Sequence, residues 1–342
     1  MKQNKGRILK VIKRVYNHSA KVLNFEFVQN ENDFIVNELP LRFSNSGNFL
    51  IIKVKKVNLD TWDLIDTFAR YLDIYTNEIG YAGLKDKKAT TTQYLSIPKK
   101  YSKKIQLFKH KKIEILDTVL HSKKLNIGDL KGNRFKINLH NTSIEELNHI
   151  QRRLKKISKE GLLNYFGYQR FGRDVEENLE KAKQIVEGDK IIKDRKLSKM
   201  LIMAYQSNFF NSWLVNRTKT STTNFDLING DVFLDIKKQK YITPKIITKS
   251  IEDSVSIKSI VPTGLLPGRK VFRAVGEARQ IEEKFDDTYI QEKGYRREAI
   301  VFPKDIVCKY DNDKKVCNLE FSLPKGSYAT VLVEYLANKN FS

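Results

Sequence analysis

Cysteine is almost missing from the chain: Cys308 and Cys317, nine residues apart, are the only two in 342 residues. With no Cys-x-x-Cys, neither a zinc ribbon nor a redox dithiol is indicated. Two thiols in a chain this long make no disulfide framework, which fits a reducing compartment. Histidine is also sparse. His18, His110, His121, His140 and His149 stand without metal-ligand spacing, which reads as surface or structural use, and no metal is expected. Long apolar runs are absent. The leader from Met1 to Val22 is basic but lacks the apolar run of a signal peptide, and no stretch approaches the length of a transmembrane helix. The expectation is a cytoplasmic chain with no membrane contact. Several catalytic signatures are missing too: Gly-x-x-x-x-Gly-Lys-Ser/Thr, Gly-x-Gly-x-x-Gly after a strand, His-Glu-x-x-His and Gly-x-Ser-x-Gly. Their absence weakens the case for cofactor-dependent chemistry.

What is present is charge. The chain carries 63 Lys and Arg against 40 Asp and Glu, a formal net charge of +23. Such a surplus favours a polyanionic partner, because Lys and Arg contacts to phosphates release counterions and dominate affinity. A composition rich in Lys, Asn and Ile is also what an AT-rich genome produces. With 40% hydrophobic and 30% charged residues, the chain is globular, long enough for a sizeable core and for one large domain or two ordinary ones. No coiled-coil pattern or apolar interface is visible, so a monomer without an obligate protein partner is expected.

Both ends read as strand-rich and the middle as helical. Residues 23 to 28 alternate apolar and polar, and residues 48 to 57 read as a second strand. A helix follows, with Trp62, Ile65, Phe68, Ala69 and Leu72 on one face and Gly80 closing the segment. Residues 93 to 97 form a strand before Pro98 and a Lys-rich turn. Ser143 and Glu146 make a capping box for a helix over 143–160, whose outer face carries Arg152, Arg153, Lys155 and Lys156. A second box, Asp174 with Glu177, starts another helix, and a long helical pattern covers 197–218. Strands return at Val316 to Leu323 and Tyr328 to Val333. One domain inserted into another accounts for this order.

One loop stands out chemically. Asp86 lies between Lys85 and Lys87, and nearby positive charge favours the ionised carboxylate. Such a carboxylate serves as nucleophile or base without a metal. Gly80 and Gly83 allow close backbone approach, and Thr90, Thr91, Thr92 and Gln93 offer hydrogen bonds for a base or ribose. Charged turns are also common on inert surfaces.

The loop Gly80-Tyr-Ala-Gly-Leu-Lys-Asp-Lys-Lys-Ala-Thr-Thr-Thr-Gln93 resembles the signature of the TruD family of tRNA pseudouridine synthases. Other segments match in the family's order: Phe34-Ile-Val-Asn-Glu38, Gly132-Asn-Arg-Phe135, Asn164 to Gly172, Ala204-Tyr-Gln-Ser207 with Phe210-Asn211, Pro262 to Gly268, and Phe321 to Thr330. The resemblance implies an α+β fold. A mixed-sheet pseudouridine synthase catalytic domain, 1–160 with 304–342, would carry an inserted α/β (TRUD) domain, 162–303. It implies isomerisation of uridine 13 in tRNA, with no cofactor and no metal, through Asp86. By the same resemblance Phe34, Asn133 and Tyr328 match positions that contact the substrate nucleotide, with Phe135 and Lys85 as further candidates. Where some members carry a basic residue before the Phe34 motif, this chain has Val28, Gln29 and Asn30, with Lys21 further back. The cation that pairs with Asp86 is therefore open. Charge and aromatics alone would also suit a non-catalytic RNA-binding protein, and the same chemistry could act on rRNA or mRNA.

Overall fold

The computed structural model describes residues 12–16, 21–219, 221 and 225–341. In chain order its elements are β1 Phe34–Pro40, β2 Phe49–Val57, α1 Thr61–Leu72, β3 Gly80–Tyr81, β4 Thr90–Pro98, α2 Ser102–Ile105, β5 Ile113–His121, β6 Leu130–Leu139 and α3 Ile144–Glu160. Then come β7 Leu162–Leu163, α4 Val175–Glu187, α5 Arg195–Lys219, β8 Val232–Asp235, β9 Lys240–Ile242, α6 Lys249–Ser256, β10 Ile260–Leu266 and α7 Gly276–Glu282. The chain ends with β11 Tyr295–Glu298, β12 Ile300–Val301, β13 Lys304–Asp311, β14 Val316–Pro324 and α8 Ala329–Ala337.

Two compact units result. A large-sheet unit holds Leu23–Ser158 and Pro303–Ala329. Its sheet runs β13-β14-β6-β1-β4-β2-β5, with β3 added on β4. The sheet is mixed because β1 pairs with β4 in parallel while the other pairs are antiparallel. Side chains alternate across a strand, so Phe34, Val36 and Glu38 share one face of β1. Register carries that face to Ile137, Phe135 and Asn133 on β6, and on to Leu319, Phe321 and Leu323 on β14. On the other side it passes through Thr91 of β4 to Lys56 of β2. Helix α1 covers part of the sheet: Leu64, Ile65, Phe68, Ala69 and Leu72 form a core with Leu50, Ile52, Val54, Leu95 and Ile97.

The middle unit holds Lys159–Phe302 together with described residues before Leu23 and residues 330–341. Its four-stranded sheet runs β11-β10-β8-β9. The long helix α5 packs there, with Leu201, Ile202, Tyr205 and Phe209 in a core with Ala182 and Ile290. The segments matched to the family inside this unit bind one another. The Asn211 side chain accepts from the Phe166 backbone N–H at 2.8 Å and donates to its carbonyl at 3.0 Å. Gln206 Nε2 donates to the Pro267 carbonyl at 2.8 Å.

Several sequence expectations are corrected by tertiary structure. Residues 330–341 join the middle unit rather than the strands that precede them, and the strand expected at 328–333 is helix α8. Val331, Leu332, Val333, Tyr335, Leu336 and Ala337 are all buried, so the run carries no alternation to favour a strand. The buried Glu334 carboxylate anchors that helix by accepting Arg14 Nε at 2.7 Å. Residues 23–28 keep their alternating burial but make only one β-bridge, Glu26 with His140. Helix α1 is ended by Asp73 in the left-handed region (φ 58°), not by Gly80. The Ser143–Glu146 box forms, whereas the Asp174 side chain makes no capping bond. The basic leader lies largely outside the described residues. No helix among the described residues is long and apolar enough to cross a membrane.

Candidate active site

Residues 82–89 link β3 to β4 and carry Asp86. Among the contacts that fix this loop, three lie at Lys85 and Asp86. The Lys85 backbone N–H donates to Thr61 Oγ1 at 2.9 Å, at the first residue of α1. Lys85 Nζ meets Glu38 Oε2 of β1 at 2.5 Å, with both side chains almost fully buried. Lys56 Nζ, on the inward face of β2, donates to the Asp86 carbonyl at 3.2 Å and to the Leu59 carbonyl. The loop is thus held by two ammonium groups and a hydroxyl. Gly80 is needed for space: a Cβ there would meet Ser96 Oγ at 2.3 Å and the Leu125 carbonyl at 2.4 Å. At Gly83 the nearest atom would be Lys85 Nζ at 3.5 Å, so the loop makes no such demand at that position.

Burial raises the Asp86 carboxyl above its ordinary value, while its own backbone N–H, Lys56 and Lys85 pull it back down. Desolvation of a carboxylate penalises its charged form, and nearby cations favour it. Lys56 shows the converse: burial pushes its ammonium down to about 8, against the pull of Asp86 and Asp60. Glu38 is raised by burial, which outweighs the Lys85 charge and the Tyr94 N–H.

Sheet register places Phe34, Phe135 and Asn133 on one face, and the Asp86 loop is fastened to that face through Lys85 and Glu38. Asn133 pairs in register with Glu38, the residue that grips Lys85, so the Asp86 loop is tied to the strand beside Asn133. Asn133 Oδ1 is buried without a hydrogen-bond partner. An orphaned buried acceptor costs about 1–3 kcal/mol, a cost that a ligand N–H would remove. Phe34 and Phe135 are buried, their centroids 6.1 Å apart, and Phe135 stacks on Phe321 at 5.4 Å. They form a packed aromatic floor rather than open stacking surfaces. Tyr328 is partly buried just beyond the turn that ends β14. The Lys85 ammonium is committed to Glu38, and its charge also acts on Asp86.

Sequence reasoning missed Lys56, Glu38 and Thr61. The signal for Lys56 was positional. Leu50, Ile52 and Val54 alternate as the inward residues of β2, and Lys56 continues that parity where an apolar residue would be usual. Glu38 likewise follows Phe34 and Val36.

A half-buried carboxylate on a loop pinned by two lysines, over a mixed sheet with unsatisfied polar groups, is an arrangement in a basic α+β protein that suits acid–base or nucleophilic chemistry. Comparison with known proteins names it further. The family described as tRNA pseudouridine synthase D (TruD) matches residues 11–193 and 190–335. The chain is 40% identical to a tRNA pseudouridine synthase D of Sulfurimonas denitrificans, over 95% of this chain and 99% of that one. It is 38% identical to the protein of that name from Wolinella succinogenes, over 96% and 99%. A solved TruD structure from Methanosarcina mazei shares the fold, with a TM-score of 0.75 at 24% identity, covering 96% of this chain and 97% of that one. The chain belongs to the TruD family of tRNA pseudouridine synthases, and is therefore an isomerase rather than a non-catalytic binder.

Proposed function

We propose that this isomerase converts uridine to pseudouridine at position 13 of tRNA, with Asp86 as the catalytic residue and without a cofactor. One observation carries the assignment of the site: the loop of the half-buried Asp86 is tied through Lys85 and Glu38 to β1, beside the strand that presents the unsatisfied Asn133 Oδ1. Uracil offers a matching donor at N3–H. A base inside an RNA stack must be flipped out before its glycosidic bond can be reached. Asn133 then holds the base edge, Phe34 and Phe135 form the apolar floor, and Tyr328 lines or stacks on the base. The bond between N1 and the ribose C1′ breaks, the base turns, and C5 bonds to C1′. A proton leaves C5 and one arrives at N1, so the atoms balance. Asp86 could attack the base, attack the sugar or remove a sugar proton, and each role requires the ionised carboxylate. Lys56 keeps positive charge beside it and fixes its peptide. The tRNA substrate fits a cytoplasmic location, and we read the chain as a monomer with no obligate protein partner.

The test is conversion of uridine in an unmodified tRNA transcript by purified protein. Asp86→Asn should still bind tRNA but lose at least about 10²-fold in rate, the lower end of what an acid–base group contributes. Full activity in Asp86→Asn would remove Asp86 from the mechanism. Mapping the modified nucleotide tests position 13, and rRNA or mRNA fragments test the substrate class.

A further inference from the structure

Trp62 belongs to the apolar stripe of α1, yet the fold leaves it out of the core. Ile65, Phe68, Ala69 and Leu72 are buried, whereas Trp62 keeps 37% of its surface exposed. Its ring meets Tyr81 edge-on, with centroids 5.6 Å apart and planes at 75°. Beside the two rings, Asn77, Lys124, Asn126 and Ile127 help to line a groove of about 360 Å³. That volume lies at the small end of ligand sites. Ile127, 76% exposed, adds open apolar surface. Lys124 Nζ donates to the Asn77 carbonyl across the groove.

The groove and the catalytic loop are fastened together at two points. Thr61 and Asp63 flank Trp62; Lys85 and Lys87 flank Asp86. Thr61 Oγ1 accepts from the Lys85 N–H at 2.9 Å, and Asp63 Oδ2 meets Lys87 Nζ at 3.2 Å. Tyr81, five residues before Asp86, belongs to β3, from which the loop departs. The aromatic pair is therefore tied to the loop that carries Asp86 through the residues on either side of Trp62 and of Asp86.

We propose that the Trp62–Tyr81 groove binds the nucleotide adjacent to the uridine on which Asp86 acts. The proposal rests on the reading of the chain as a tRNA-modifying enzyme. Flipping a uridine unstacks its neighbour as well, leaving a base face exposed to water. Indole and phenol rings take up such faces by stacking, and this tolerates any base. Asn77 and Asn126 offer amide groups to a base edge, and Lys124 supplies a cation for a phosphate. A half-exposed tryptophan with amides and a lysine around it suits a nucleotide better than an apolar peptide side chain, which has no base edge or phosphate to offer those polar groups.

The chain contains two tryptophans, and the other, Trp213, is buried. Emission that changes on binding and vanishes in Trp62→Phe therefore reports on Trp62. Unmodified tRNA transcript is titrated into wild type and Trp62→Phe, with binding followed in parallel by filter retention. Wild-type emission should be quenched at saturation, Trp62→Phe should bind without that quench, and Trp62→Ala should bind roughly 5- to 150-fold more weakly, the range of one lost base stack. A transcript with abasic sites on both sides of the modified uridine should bind wild type without quenching. Saturable binding with unchanged Trp62 emission overturns the subsite while leaving the enzyme reading intact. A wild-type protein that neither binds tRNA nor forms pseudouridine overturns the enzyme reading, and the subsite with it. The wild-type titration gives its answer even if Trp62→Ala fails to fold.

Discussion

On the inward face of β2, where Leu50, Ile52 and Val54 build the core, the fourth position is a lysine. Lys56 is fully buried and its ammonium bonds the Asp86 carbonyl. Two groups with opposite pKa displacement therefore face each other, and this predicts a pH profile. Because burial raises the Asp86 carboxyl, activity should fall as pH drops through a value above that of a free aspartate, about 3.9. Because Lys56 titrates at about 8, a second limb should appear as pH rises through that region and the neighbouring cation disappears. In Lys56→Met the alkaline limb should vanish and the acid limb move up by about 1 pH unit or more, whereas Lys56→Arg should keep the cation. Rates measured from pH 5 to 10 check this, and an unshifted acid limb in Lys56→Met would deny Lys56 its electrostatic part. Trp62 shows the limit of residue-level reading in the other direction. Its spacing assigns it to the core, but it stays 37% exposed beside Tyr81 although Thr61 and Leu64 of the same turn are buried.

At the scale of elements, the 82–89 loop is ordered by what it is pinned to rather than by its own sequence. The Lys85–Glu38 pair joins it to β1 with both side chains nearly dry. Removing one partner of a buried pair strands the other charge, at a cost of about 3–5 kcal/mol. Lys85→Met should therefore lower the unfolding midpoint by several degrees. The double variant Glu38→Leu, Lys85→Met should recover most of that loss while leaving the Asp86 loop unpinned and slow. Thermal unfolding and single-turnover rates separate the two effects; a double variant no more stable than Lys85→Met would mean the pair is not the determinant. The helix α8 makes the complementary point. Nothing in Ala-Thr-Val-Leu-Val-Glu-Tyr-Leu-Ala separates helix from strand by period. Burial on every side and the Arg14–Glu334 contact go with a helix in the middle unit.

At the scale of the whole molecule, the net charge of +23 should set how tRNA is held. For each phosphate neutralised, log affinity falls with log salt by about 0.9 in a duplex. Two such contacts alone give about a tenfold loss between 50 and 200 mM salt. Affinity for tRNA should fall by at least this much, with the chemical step far less affected; a salt-independent Kd would exclude a phosphate-led interface. Composition alone indicated the polyanionic partner, and the sequence holds no apolar run of the length a transmembrane helix needs. The ordered family segments pointed to the α+β fold and offered Asp86, Phe34, Asn133 and Tyr328 as the candidate site, with Phe135 and Lys85 behind them. What the sequence determined is what depends on local pattern: strands with period two, capped helices, a loop of distinctive composition. Tertiary structure alone decided the partners. Lys85 turned to Glu38, Lys56 came to Asp86 from 30 residues away, α8 became a helix, and Trp62 stayed exposed. The physical reason is that burial and ion pairing are set by which surfaces meet, and a mixed sheet that runs β1 beside β4 and β6 brings together residues whose separation along the chain carries no sign of it.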